Sequence, residues 1–167
     1  MDLKRVIRHL LLTRWQVTAA FPSRTLRAIE KAVRESHRGH IGQVRFVVEG
    51  ALHIGALLKG VSARERAIDV FSELRVWDTE HNNGVLIYLL LADRDVEIVS
   101  DRGVHARVRA AEWETICQNM EANFRIGKYE AGVLRGVEQV TELLKRHFPA
   151  QQERRSELPS KPAVLGD

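Results

Sequence analysis

The sequence predicts an α/β fold: a three-layer α/β/α sandwich built on a small mixed sheet. Three observations lead there. The run Val85–Leu91 is apolar throughout, as in a strand covered on both faces. Segments with helical spacing precede, separate and follow the strand candidates. The connections then fix direction. A helical crossover separates the first two strand candidates, so they run parallel and right-handed. Only Ala92-Asp93-Arg94-Asp95 joins Val85–Leu91 to Val96–Val99, so that pair is an antiparallel hairpin.

The elements follow in order. Residues 3–12 are mildly amphipathic, with Leu3, Ile7, Leu10 and Leu11 on one side. A basic amphipathic helix of this kind is a docking helix or a surface anchor. Ser23 is an expected N-cap for a helix carrying Leu26, Ile29, Val33 and His37, which Gly39 ends. Ile41–Glu49 reads as a strand, with Val44, Phe46 and Val48 on one face. Residues 50–60 form a Gly-containing connection with a short apolar run of its own. Ser62 and Glu65 have the spacing of a capping box, and Ile68, Phe71 and Leu74 are expected on the apolar face of the helix that follows. After the hairpin, Trp113, Ile116, Cys117, Met120 and Phe124 define one helix. Beyond Gly127, Val133, Val137, Val140, Leu144 and Phe148 define another. The expected organisation is a basic segment over 1–20, one domain over 21–148 and a tail over 149–167. The tail holds three prolines and no periodicity, and is expected to be disordered.

Composition narrows the classes. A chain of 167 residues can bury a full core as one domain. The single cysteine, Cys117, rules out an internal disulfide and a Cys-rich zinc module. Its place in an apolar stripe reads as a buried hydrophobe rather than a nucleophile. No apolar run reaches the roughly 20 residues a membrane-spanning helix needs, and the N-terminus lacks the small-residue cleavage site of a signal peptide. A cytoplasmic location is expected. The formal charge of +4 is uneven: residues 1–38 hold nine Lys/Arg against three Asp/Glu. That bias suits a solvated helix face or contact of residues 1–20 with an anionic membrane. Nucleic acid is disfavoured, because no aromatic residues interleave with the charge. No nucleotide-binding or nucleophile-elbow signature is present, so no nucleotide cofactor is expected.

The hairpin carries the candidate site. His81-Asn82-Asn83-Gly84 precedes its first strand and Ser100-Asp101-Arg102-Gly103 follows its second. A hairpin brings its outer ends together, so both clusters belong to one rim. Asp78, Glu80, Asn82 and Asp101 are the candidate ligands for a hard cation, Ca2+ or Mg2+, because such ions take oxygen donors, and Asn83 can add a further amide oxygen. His81 and His105 are candidate acid–base groups, since imidazole titrates near neutrality. Arg102 is a candidate for neutralising phosphate charge. The same residues also suit plain structure: a tight turn at Asn82-Asn83-Gly84 and a capping role for Asp101.

The order of these motifs resembles the TPM domain family. Asn82-Asn83-Gly84-Val85-Leu86-Ile87, then Asp93-Arg94-Asp95-Val96-Glu97-Ile98, then Gly103 follow its pattern, as does Phe124-Arg125-Ile126-Gly127-Lys128-Tyr129 before an apolar helix. The resemblance spans residues 22–148 and implies an α/β/α sandwich, divalent-cation binding and, in some members, phosphatase activity. The chain departs from the pattern at one place: Asp101 stands where relatives carry a glycine, and His105 stands near a usually acidic position. Unlike many relatives, it is expected to lack a signal peptide and a membrane helix. The expected function is a binding or accessory domain whose rim, 78–84 with 100–105, takes a divalent cation or a protein partner. The alternative is a metal-assisted phosphatase.

Overall fold

The computed structural model describes residues 2–150 and 156–166. Its elements are α1 (Leu3–Leu11), α2 (Arg14–Ala20), α3 (Ser23–Ser36), β1 (Gln43–Glu49), α4 (Ile54–Leu58), α5 (Ala63–Glu73), β2 (Gly84–Leu90), β3 (Asp95–Ser100), α6 (Arg102–His105), α7 (Ala110–Arg125), α8 (Tyr129–His147) and β4 (Ala163–Leu165). The strands lie in the order β3-β2-β1-β4. β1 and β2 are parallel, and β2 and β3 are antiparallel, as the connections require.

Every residue of β2 is buried, because helices cover both faces of the sheet. Val44, Phe46, Val48, Val85, Ile87 and Leu89 join one apolar cluster with residues of α3, α7 and α8. Val47, Leu86, Tyr88 and Leu90 join a second with α4 and α5. The alternation follows from the two-residue period of a strand. Large-to-small substitution at a fully buried aromatic such as Phe46 or Phe124 costs roughly 3–5 kcal/mol.

The helix termini show local chemistry at work. The Ser62/Glu65 capping box forms at both of its arms. A second box, Thr13 with Gln16, starts α2. α3 begins one residue earlier than expected, with Pro22 rather than Ser23 at the N-cap. Proline's fixed φ suits the entry to a helix.

Two expectations are corrected, and one left open is resolved in orientation. Ile68 does not lie on the buried face of α5, whereas Leu74, its C-cap, packs partly buried against the second cluster. Ile68 is exposed, and Ala63, Ala67, Val70 and Phe71 are buried. Small residues at i, i+4 and i+7 let the helix lie close to the sheet. The tail is not disordered over its described part: β4 pairs in parallel with β1, and Leu158 is buried. β1 would otherwise present an unpaired edge, and the tail supplies the missing ladder. Residues 151–155 of that tail lie outside the described residues. The N-terminal segment is helical, but α1 docks by its polar side, while Leu3, Ile7, Leu10 and Leu11 face outward.

Candidate functional site

The rim forms at the N-terminal edge of β2, where β3 ends. The register sets it: Val85 lies opposite Ser100, and the Asp101 amide then donates to the Gly84 carbonyl at 2.9 Å. Two glycines let the preceding loop close over this edge. A Cβ on Gly84 would overlap the Val76 carbonyl oxygen, and one on Gly103 would press on the backbone oxygens of His81 and Asn82. Gly103 instead donates its amide to the Asn82 carbonyl at 3.0 Å. The Asn-Asn-Gly and Asp-Arg-Gly motifs are thus two halves of one close backbone contact.

Asn82 holds a left-handed φ of 51°, which asparagine tolerates better than most residues. Its Oδ1 accepts from Arg102 Nε at 3.0 Å, tying the halves together by side chains as well. Asn83 is buried deeper. Its Nδ2 donates to the Ile41 carbonyl at 2.6 Å, and its amide donates to Thr79 Oγ1 at 3.0 Å. The carbonyl partner fixes which end of the Asn83 amide is nitrogen. Its Oδ1 is buried with no hydrogen-bond partner. Asp101 caps α6 through Oδ1, which accepts from the Arg102 amide at 2.7 Å, while its buried Oδ2 has no partner.

The other predicted residues are less tightly gathered. Asp78 and Glu80 are exposed, and no three His, Cys, Asp or Glu side chains among the described residues form a group able to hold a metal. The carboxylates of Asp78, Glu80 and Asp101 therefore do not converge. The Glu80 amide donates to Glu157, and His81 Nε2 lies 3.6 Å from Glu80. His105 lines a cleft of about 490 Å3 between β3 and α7, together with Ser100, Trp113 and Cys117. Burial pushes the Cys117 thiol up to about 12, so it is not a ready nucleophile. Trp77 is half exposed and belongs to neither core cluster.

Sequence reasoning missed two contributors to the rim, Thr79 and the tail. Of the two expected amide ligands, Asn83 carries an unpartnered oxygen, whereas Asn82 is occupied by Arg102. Thr79 holds the Asn83 backbone. The tail reaches the same edge: Gln43 Oε1 accepts from the amides of Glu157 and Leu158 and from Ser156 Oγ. Nothing local in the sequence signals that last contact, because it joins residues more than a hundred positions apart.

With this geometry in hand, the matches to known proteins are decisive for family. The family model described as TPM domain matches residues 17–143. The chain belongs to the TPM domain family. The BA42 protein of the psychrophilic bacterium Bizionia argentinensis, solved by NMR, is 27% identical with a TM-score of 0.75. The match covers 85% of this chain and 93% of that one. The N-terminal domain of a P. gingivalis protein shares the fold at 18% identity and a TM-score of 0.59, covering 75% of each chain. No curated protein matches. No helix among the described residues of this TPM domain is long and apolar enough to cross a membrane.

Proposed function

We propose that this TPM domain is a binding or accessory module whose rim takes a divalent cation, with Asp101 as the anionic ligand and Asn83 as an amide ligand. One observation carries the reading: both keep a buried oxygen without a hydrogen-bond donor, on the two halves of the same motif. A buried acceptor left unmade costs roughly 1–3 kcal/mol. A hard cation is the chemistry that offsets such a cost with oxygen donors. Ca2+ takes about 6–8 oxygens, so water or a partner's oxygens would complete its shell; Mg2+ commonly keeps several waters beside one or two carboxylates. The residues present fit an open site of that kind better than a closed protein cage.

The test is a titration of 15N-labelled protein with CaCl2 and with MgCl2. Amide shifts are expected at Asn82–Gly84 and Ser100–Gly103, and they should vanish in Asp101→Asn. Ion at about 100 times its Kd should add about 2.7 kcal/mol of stability. No shift at millimolar ion defeats the proposal. Mg2+-dependent hydrolysis of p-nitrophenyl phosphate that disappears in Asp101→Asn, with melting unchanged, would replace it with the phosphatase reading. Arg102 would then face phosphate charge, and His81 or His105 would move the proton.

A further inference from the structure

α1 is oriented the wrong way round for a helix of a globular domain. Such helices turn an apolar stripe to the core and a polar face to water. Here the polar side docks. Arg5 Nε and Arg8 Nη2 donate to the two Asp93 oxygens at 2.8 and 3.1 Å, and His9 Nε2 lies 3.1 Å from Asp93 Oδ1. The Leu52 amide donates to buried His9 Nδ1 at 3.0 Å, so His9 bridges the ends of β1 and β2. Val6 packs against the second core cluster. These contacts fix the helix's rotation about its axis.

The fixed rotation presents Leu3, Ile7, Leu10 and Leu11 to solvent, with Leu10 63% and Leu11 68% exposed. Trp15, on α2, is 76% exposed. α4 packs beside α1 and exposes Ile54 and Leu58. Seven of the eleven exposed large apolar residues among the described residues thus belong to these three short helices. A concentration of this kind marks an interaction surface rather than ordinary surface scatter.

Charge selects the occupant. Arg5 is turned inward on Asp93, but Lys4 is exposed, Arg8 keeps about half of its side chain in water beside Asp93, α1 contains no acid, and exposed Lys59 ends α4. A second copy laid on this face would bring like charges together. An anionic lipid surface offers the complementary charge, an apolar layer for the leucines and an interface that suits tryptophan. We infer that the outward face of α1, with Trp15 and the exposed residues of α4, docks this domain peripherally on an anionic lipid bilayer. The polar contacts to Asp93 hold that face ready, so binding requires no rearrangement of the sheet. The surface lies at the end of the sheet opposite the Asp101 rim, so a docked domain keeps the rim in water.

The full chain should sediment with phosphatidylcholine vesicles that contain phosphatidylglycerol, and at least about tenfold more weakly with phosphatidylcholine alone. Ile7→Ser/Leu10→Ser should abolish binding without changing net charge. Lys4→Glu should weaken it, and Ile68→Ser, an exposed apolar residue elsewhere, should leave it intact. Trp15→Ala supplies an independent arm, because that side chain supports no core contact. Wild-type protein that stays in solution with anionic vesicles overturns the inference. So does equal binding by the Ile7→Ser/Leu10→Ser and Trp15→Ala variants. A concentration-dependent dimer without lipid, lost in Ile7→Ser/Leu10→Ser, would assign the face to a second copy instead.

Discussion

The two ends of the sheet treat charge differently. At the end where β1 and β2 finish, acidic groups are consumed by partners. Glu49 accepts from Tyr88 Oη at 2.6 Å and from Arg66 Nε at 2.9 Å, and Asp93 holds Arg5 and Arg8. At the end where they begin, Asp101 and Asn83 each keep an unpartnered buried oxygen. The first end is thus a structural clamp that ties α1 and α5 to the sheet. The second has acceptors that the fold does not use. Counting acidic residues would have favoured the clamp; asking which oxygens lack donors favours the rim.

The largest effect expected from breaking this contrast comes from glycine. Gly84→Ala should cost about 3 kcal/mol or more, because the new Cβ meets a backbone oxygen that cannot rotate away. Gly50→Ala, at the clamp end, meets only the side-chain tips of Val17 and Leu12 at 3.0 and 3.2 Å, and should cost about 1 kcal/mol. Thermal melting separates the two. Equal shifts would mean that the Val76–Asn83 loop is not pinned as described.

The next effect is in pH. His37 and His40 lie near the rim end, where the Val44 amide donates to His37 Nε2 at 3.0 Å. Burial holds both imidazoles down at about 4, with His37 and Lys145 further disfavouring charge on His40. Both are neutral in the fold and protonate more readily when unfolded. Their stabilisation is therefore present above pH 6.5 and is lost as pH falls towards 4, on the order of 3 kcal/mol for each. At the clamp end Asp95 is pushed up to about 6, by burial first and then by Glu97, Glu121 and Asp93. Its sign is opposite: the folded state holds the proton more tightly, so stability is gained as pH falls from 6 towards the unfolded carboxylate range. Urea melts from pH 7 to 4 should show a net fall that His37→Gln/His40→Gln flattens and Asp95→Asn steepens. A flat profile in the wild type would show that neither end titrates this way.

How legible all this was depended on whether the deciding contact is local. Val85–Leu91 declared itself by being apolar throughout, and Ser62 with Glu65 by a spacing that works within one turn. The joining of His81–Gly84 with Ser100–Gly103 followed from the shortness of the 92–95 link. The failures share a cause. Ile68 looked like core by size, but Ala63 and Ala67 won because close approach to the sheet needs small residues. Residues 156–165 carried no periodicity, yet the open edge of β1 and the Gln43 amide ordered them from a distance. Asn82 and Asn83 are chemically the same in the sequence. Only Arg102 and the Ile41 carbonyl, brought in by folding, decide which oxygen is left over. The outward turn of α1 was likewise set by Asp93, some 85 positions away.

The smallest effect is the sharpest, and it comes from making one substitution at both ends. Asp93→Asn removes the carboxylate shared by Arg5, Arg8 and His9. Arg5 is only 20% exposed at its side chain, so its charge loses its partner where water replaces it poorly. A cost of about 1–3 kcal/mol is expected, below the 3–5 kcal/mol typical of fully buried pairs because Arg8 stays half in water. Asp101→Asn should change stability by no more than about 0.5 kcal/mol in chelator. The substituted side chain keeps one oxygen for the Arg102 amide, and the oxygen it loses had no donor to lose. In millimolar Ca2+ or Mg2+ the order changes at the rim alone: wild type and Asp93→Asn should gain stability, while Asp101→Asn gains none. A cation-dependent gain that survives in Asp101→Asn would place the ion elsewhere. A large loss in chelator would make Asp101 a structural cap after all, and the distinction between the two ends would dissolve.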